Sequence, residues 1–154
     1  MENNCDICEF VQSQQRSILE TDRWLVVLGD NQAYLGRAFL QLKEHKPSLS
    51  TLDETDWQEF QSIVRRLEPA YKAAFGAEPI NWSCLMNGAY RSEPANPHVH
   101  WHIYPRYKNA PSIDGVEFPD VRFGGFFDFQ EEKLVSYELL DTIQKRLIAK
   151  LTEK

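Results

Sequence analysis

The chain has 154 residues and a formal net charge of -6, from 17 Lys and Arg against 23 Asp and Glu. This length suits one domain with a proper core, and an acidic chain without a basic stripe excludes a polynucleotide as main ligand while leaving small anions open. No apolar run nears the ~20 residues of a membrane span, and the opening Met1-Glu2-Asn3-Asn4-Cys5 lacks the charged and apolar regions of a signal peptide, so a cytoplasmic setting without a membrane partner is expected.

Cys5-Asp6-Ile7-Cys8 opens the chain as a C-x-x-C pair. A redox pair would need a preceding strand in a βαβ setting, and none is present; two idle thiols and half of a zinc site are the other readings. A zinc site needs two more ligands, and His45 with His98 would complete a Cys2His2 tetrahedron. Trp24 to Leu28 is a continuous apolar run and reads as a strand covered on both faces. Residues 29–32 read as a turn and 36–42 as the partner strand, with Ala38, Leu40 and Leu42 on one face and Arg37, Phe39 and Gln41 on the other.

Thr51 and Glu54 have capping-box spacing, and Trp57, Phe60, Val64, Leu67 and Tyr71 then recur every three or four residues as the core stripe of a helix. Pro69 predicts a bend in that helix and Gly76 its end. Residues 80–87 read as the next strand, with Cys84 as a buried, unreactive thiol. Residues 108–130 are irregular and hold five Phe, for which packing into the core is the expectation. Tyr137, Leu140, Ile143, Leu147 and Leu151 predict a C-terminal amphipathic helix.

The most informative stretch is His98-Val99-His100-Trp101-His102-Ile103-Tyr104-Pro105-Arg106-Tyr107. Its alternation is that of a β-strand and puts three imidazoles on one face. Packing seldom explains such a row. Neighbours on one face of a strand lie about 6.5–7 Å apart, so two of these rings can share a metal but all three cannot without a bulge. A division of labour among them is the simpler expectation.

His-φ-His-φ-His-φ-φ, with φ apolar, is met at every position of residues 98–104, and in this the chain resembles the histidine-triad family of nucleotide hydrolases and transferases. The resemblance covers residues 5–107. It implies an α+β fold, an antiparallel sheet of about five strands with one long central helix and a C-terminal helix, as a single domain over residues 1–154 that joins into a homodimer across the sheet and long helix. It also favours the zinc reading, with Cys5, Cys8, His45 and His98 as ligands.

By that resemblance His100 is the nucleophile, attacking an α-phosphorus to form a covalent nucleotidyl-imidazole, its far ring nitrogen held by a backbone carbonyl. His102 binds the phosphate and helps protonate the leaving group, and His98 holds zinc or supports the other two at the substrate. Asp30, with Asn31 close behind, is expected at the ribose hydroxyls, and Asn87 at the phosphates. Family members usually carry Gly-Gln shortly before the triad; here Glu93 and Pro94 stand there, leaving Arg91, Ser92 or Asn96 as substitute donors. The implied reaction is hydrolysis of a small nucleotide, a dinucleoside polyphosphate of the diadenosine tetraphosphate kind, with Mg²⁺ accompanying the substrate. The alternatives are a nucleoside phosphoramidase, a nucleotidyl transferase, a non-catalytic zinc-stabilised nucleotide-binding protein, and a metalloenzyme that holds its metal by the three triad rings.

Overall fold

The computed structural model describes residues 5–153; the opening residues 1–4, read above for a signal segment, lie outside them. Five strands, β1 (Ser17–Glu20), β2 (Trp24–Leu28), β3 (Ala38–Leu42), β4 (Ile80–Ser83) and β5 (His100–Pro105), form an antiparallel sheet in the order β1-β2-β3-β5-β4. Helices α1 (Asp6–Ser13), α2 (Glu54–Phe75) and α3 (Tyr137–Thr152) accompany it, and a small hairpin pairs β6 (Ser112–Ile113) with β7 (Val116–Glu117). The α+β architecture expected from the sequence is the one observed. None of the helices among the described residues is long and apolar enough to cross a membrane.

Alternation divides the sheet into two faces. Trp24, Val26 and Leu28 of β2, Ala38, Leu40 and Leu42 of β3, and Ile103 of β5 share one core with Ile63, Leu67 and Tyr71 of α2 and Ile143 and Leu147 of α3. On the opposite face the register sets Leu25 beside Gln41 and Gln41 beside His100, then Val27 beside Phe39, Phe39 beside His102, and His102 beside Ser83. All of β2 is buried, as its unbroken apolar run predicts.

The long helix begins differently from expectation. Its capping box is formed by Asp53 and Asp56, each backbone N–H donating to the other's carboxylate at 2.9 Å. Thr51 instead ends a short 3-10 turn (Leu49–Thr51) capped by Ser48. Asp56 is wholly buried, and the Lys46 ammonium donates to it at 2.6 Å. The buried stripe is Ile63, Leu67, Ala70, Tyr71 and Ala74, so Trp57 is 40 % exposed and Val64 only half-buried. The helix passes Pro69 unbroken and stops at Gly76, whose φ of 74° is the left-handed conformation glycine favours.

The remaining differences lie in the loops. β4 stops at Ser83, and Asn87 opens a 3-10 turn (Asn87–Arg91) instead of closing a strand. Cys84 is half-buried, and burial pushes its thiol above the usual range. The five Phe divide: Phe118 is buried and Phe127 stacks on Tyr104 at 4.0 Å, but Phe123 and Phe129 are partly exposed and Phe126 is 93 % exposed. This loop is anchored from the triad strand's end. The buried Arg106 donates to both carboxylate oxygens of Asp120 at 2.7 and 3.0 Å, and to the carbonyls of Arg122 and Gly125 at 2.8 Å each. In α3, Leu139, Leu140, Ile143 and Leu147 are buried, while Tyr137 lies outside beneath the Arg16 guanidinium.

Candidate functional site: a histidine row between a Cys2His2 cluster and an apolar slot

Strand β5 carries His100 and His102, and His98 lies just before it, so the three rings stand in three different surroundings. His100 is half-buried, and its Nδ1–H donates to the His98 carbonyl at 2.8 Å. A carbonyl can only accept, so this bond fixes the tautomer and leaves an unprotonated lone pair on Nε2. That nitrogen lies 3.2 Å from Nε2 of His102, which supplies the proton between them. Burial, aided by repulsion from His100, lowers the His102 pKa to about 4, so its ring is neutral near pH 7. Phe39 meets His102 edge-on at 5.1 Å and Tyr104 lies nearly parallel to it at 6.3 Å.

His98 has both nitrogens committed. Its Nε2–H donates to the Leu42 carbonyl at 2.7 Å, turning Nδ1 towards the Cys5 and Cys8 sulfurs at 3.3 and 3.4 Å. His45 Nδ1 lies 3.4 Å from Cys8 Sγ. The four ligand atoms of Cys5, Cys8, His45 and His98 all fall within 4.8 Å of one another. A tetrahedral zinc with two thiolate and two imidazole ligands has edges of about 3.3–3.8 Å, so this donor set fits that metal in distance and chemistry. The Leu42 carbonyl is the outer partner that orients a ligating ring. His98 therefore faces the cysteines through Nδ1 and the Leu42 carbonyl through Nε2, and it also lines the larger cleft beside His100 and His102.

Two clefts of about 210 and 420 Å³ meet at His100. The smaller is a slot with apolar walls, Ile7 and Phe10 of α1 on one side and Val27, Leu28 and Phe39 on the other, with Asp30 at its rim. The larger is the more polar of the two and holds all three triad histidines with Ser92 and Asn96. Asp30 is set at the rim by a tied loop. The fully buried Gln32 donates to the Gly29 and Arg37 carbonyls at 2.6 and 3.2 Å and accepts from the Gly36 N–H at 2.7 Å.

In a search of solved structures the chain is similar to a hypothetical histidine triad nucleotide-binding protein from Sulfolobus tokodaii, at a TM-score of 0.68 and 20 % identity over 96 % of this chain and 91 % of that one. It is similar to a Zn-bound histidine triad family protein from Mycobacterium smegmatis, at 0.63 and 16 % over 96 % and 93 %. This chain has the histidine-triad fold. It is also similar to a uridylyltransferase, at 0.66 and 15 %, covering 99 % of this chain and 47 % of that one. No family sequence model matches the chain, and no curated protein matches it in sequence.

Within the histidine-triad fold, two expected substrate contacts lie elsewhere. Asn31 is occupied: its amide donates to the Glu131 carbonyl at 2.9 Å and accepts from the N–H groups of Ala33 and Lys133 at 2.9 and 3.0 Å. It pins the segment before α3 and lines neither cleft. Asn87 is exposed in its turn, and the cleft is lined by its neighbours Met86 and Gly88. Of the substitutes for the missing Gly-Gln, Ser92 and Asn96 reach the cleft, and Arg91 is exposed outside its lining. Sequence reasoning missed the slot walls Ile7 and Phe10. An i, i+3 apolar pair that starts inside the C-x-x-C was the available signal.

Proposed function

We propose that this chain belongs to the histidine-triad family and is a nucleotide hydrolase that attacks the α-phosphorus of a dinucleoside polyphosphate. The observation that carries this reading is the unprotonated Nε2 of His100, aimed by the His98 carbonyl at the point where a polar cleft meets an apolar slot. The slot takes the nucleoside between Phe10 and Phe39, with the Asp30 carboxylate at the ribose hydroxyls. The cleft takes the phosphates beside Ser92 and Asn96.

In the first step a bond forms between His100 Nε2 and phosphorus while the bridging P–O bond breaks, and the departing nucleotide leaves as the anion. The attack consumes the lone pair to which His102 donates, freeing the His102 Nε2–H for the phosphate or leaving oxygen. An adjacent anionic phosphate favours the protonated ring, countering the burial that keeps His102 neutral in the free protein. Water then forms the new P–O bond and breaks the N–P bond, restoring His100. Mg²⁺ travels with the polyphosphate in this scheme. The Cys5, Cys8, His45 and His98 set holds a structural zinc that pins α1 to the sheet and enters no chemical step. Two copies pair across the edge strand β4 and the aromatic patch of Trp57, Phe60 and Trp82 beside it.

The test is incubation with diadenosine tetraphosphate, with and without Mg²⁺, followed by mass analysis of the histidines after an alkaline quench, because the N–P bond of a nucleotidyl-histidine is lost in acid. We expect AMP release and label on His100, both abolished in His100→Ala while nucleotide binding persists. Turnover by His100→Ala would end the covalent scheme.

A further inference from the structure

Two buried glutamines face different circumstances. Gln32 has its amide oxygen and nitrogen bonded to Gly36, Gly29 and Arg37. Gln41 is 5 % exposed, its Oε1 is sealed from solvent, and its side chain makes no hydrogen bond to any described residue. Leaving a buried amide unpaired costs free energy, and an apolar residue of similar size would avoid that cost at no loss of packing. Leu25, the cross-strand neighbour of Gln41 on the same face, is such a residue.

The position of the amide gives it a use. Gln41 is directly paired with His100 across β3 and β5, so their Cβ atoms are about 5 Å apart on one face. It lines the apolar slot and not the polar cleft that holds His102, Ser92 and Asn96. A ligand group meeting Gln41 therefore belongs to the part of a ligand that fills the slot. Walls of Ile7, Phe10, Val27 and Phe39 suit a flat ring system, and the Gln41 Nε2–H, unlike the sealed Oε1, can donate to an acceptor on the edge of a nucleobase.

We infer that Gln41 is a specificity residue whose amide hydrogen-bonds the edge of the base lodged in the slot beside His100. This rests on the nucleotide reading above and adds to it the residue that reads the base. A base that offers this N–H no acceptor leaves it unpaired in the filled slot, which makes base recognition sharper than apolar walls alone allow.

The experiment is calorimetric titration of the wild type and Gln41→Leu with AMP, GMP, CMP, UMP and ribose 5-phosphate, together with thermal melts of both free proteins. We expect the wild type to favour one nucleotide, Gln41→Leu to bind that nucleotide at least about tenfold more weakly, and both to bind ribose 5-phosphate alike. The free variant should melt at the same temperature or higher, because it loses an unpaired buried amide. Unchanged nucleotide affinity, an equal loss for ribose 5-phosphate, or a lower melting temperature would each overturn the assignment while leaving the nucleotide reading intact. A wild type that binds none of the five overturns both.

Discussion

Removing the zinc proposed for the Cys5, Cys8, His45 and His98 set should loosen α1 and weaken nucleotide binding together. The helix has eight residues, none of them fully buried, and isolated helices shorter than about 12–15 residues are marginal in water. Its attachment therefore depends on the two cysteines at its start. Ile7 and Phe10 form one wall of the slot, with Ile7 half-buried and Phe10 54 % exposed in the free protein. Full burial of such a side chain contributes roughly 1.5–3 kcal/mol, so losing the partial contact of both with a bound base should cost about 1–2 kcal/mol, or roughly 5–30-fold in affinity. The assay is calorimetric titration of AMP before and after chelation, with amide exchange followed over residues 6–13. Cys8→Ser should reproduce the chelated state, and Cys84→Ser should not. Equal affinity, or equal protection of that helix without metal, would refute the reasoning.

The low pKa of His102 makes stability depend on pH. Because its folded-state pKa of about 4 lies below the ordinary value of 6.5, the unfolded chain takes up the proton first as pH falls. Stability is intact above pH 6.5 and declines from there towards pH 4, by no more than about 3 kcal/mol for this half-buried ring. Melting temperatures between pH 7.5 and 4.5 should fall more steeply for the wild type than for His102→Asn, and parallel curves would contradict this. Arg106→Met should cost about 3–5 kcal/mol by stranding the buried Asp120 carboxylate, with much of the loss restored in Arg106→Met/Asp120→Leu, as measured by urea unfolding. Gly36→Ala should cost roughly 2–4 kcal/mol in the same assay, because φ is +76° and a Cβ would stand 2.8 Å from Tyr71 Cε1.

Much of this arrangement was legible in the sequence because its signals are periodic. Strict alternation fixed which way His98, His100 and His102 face, and an unbroken apolar run marked β2 as buried on both sides. Where two phases fit equally, the choice went astray. Thr51 with Glu54 and Asp53 with Asp56 both have capping spacing, and only the buried Lys46–Asp56 contact separates them. Adjacent residues in a turn raise the same difficulty: Asp30 reaches the slot rim, while Asn31 is claimed by backbone a hundred residues away. Gln41 gave no warning, since a polar residue on the outward phase of a strand ordinarily meets water. Helix α1 covers that phase, and nothing local in the chain announces the cover. The Phe-rich loop has no period at all, and its partners come from Arg106 and Tyr104.

Residue 98 serves two masters through two different atoms. Its imidazole faces the thiols, and its carbonyl oxygen accepts the hydrogen bond that orients the His100 ring. Any tug on the cysteine end is thus conveyed along a single residue of backbone to the aim of His100. The chain's N-terminal clasp and the His100 Nε2 are geared to one another without a ligand between them.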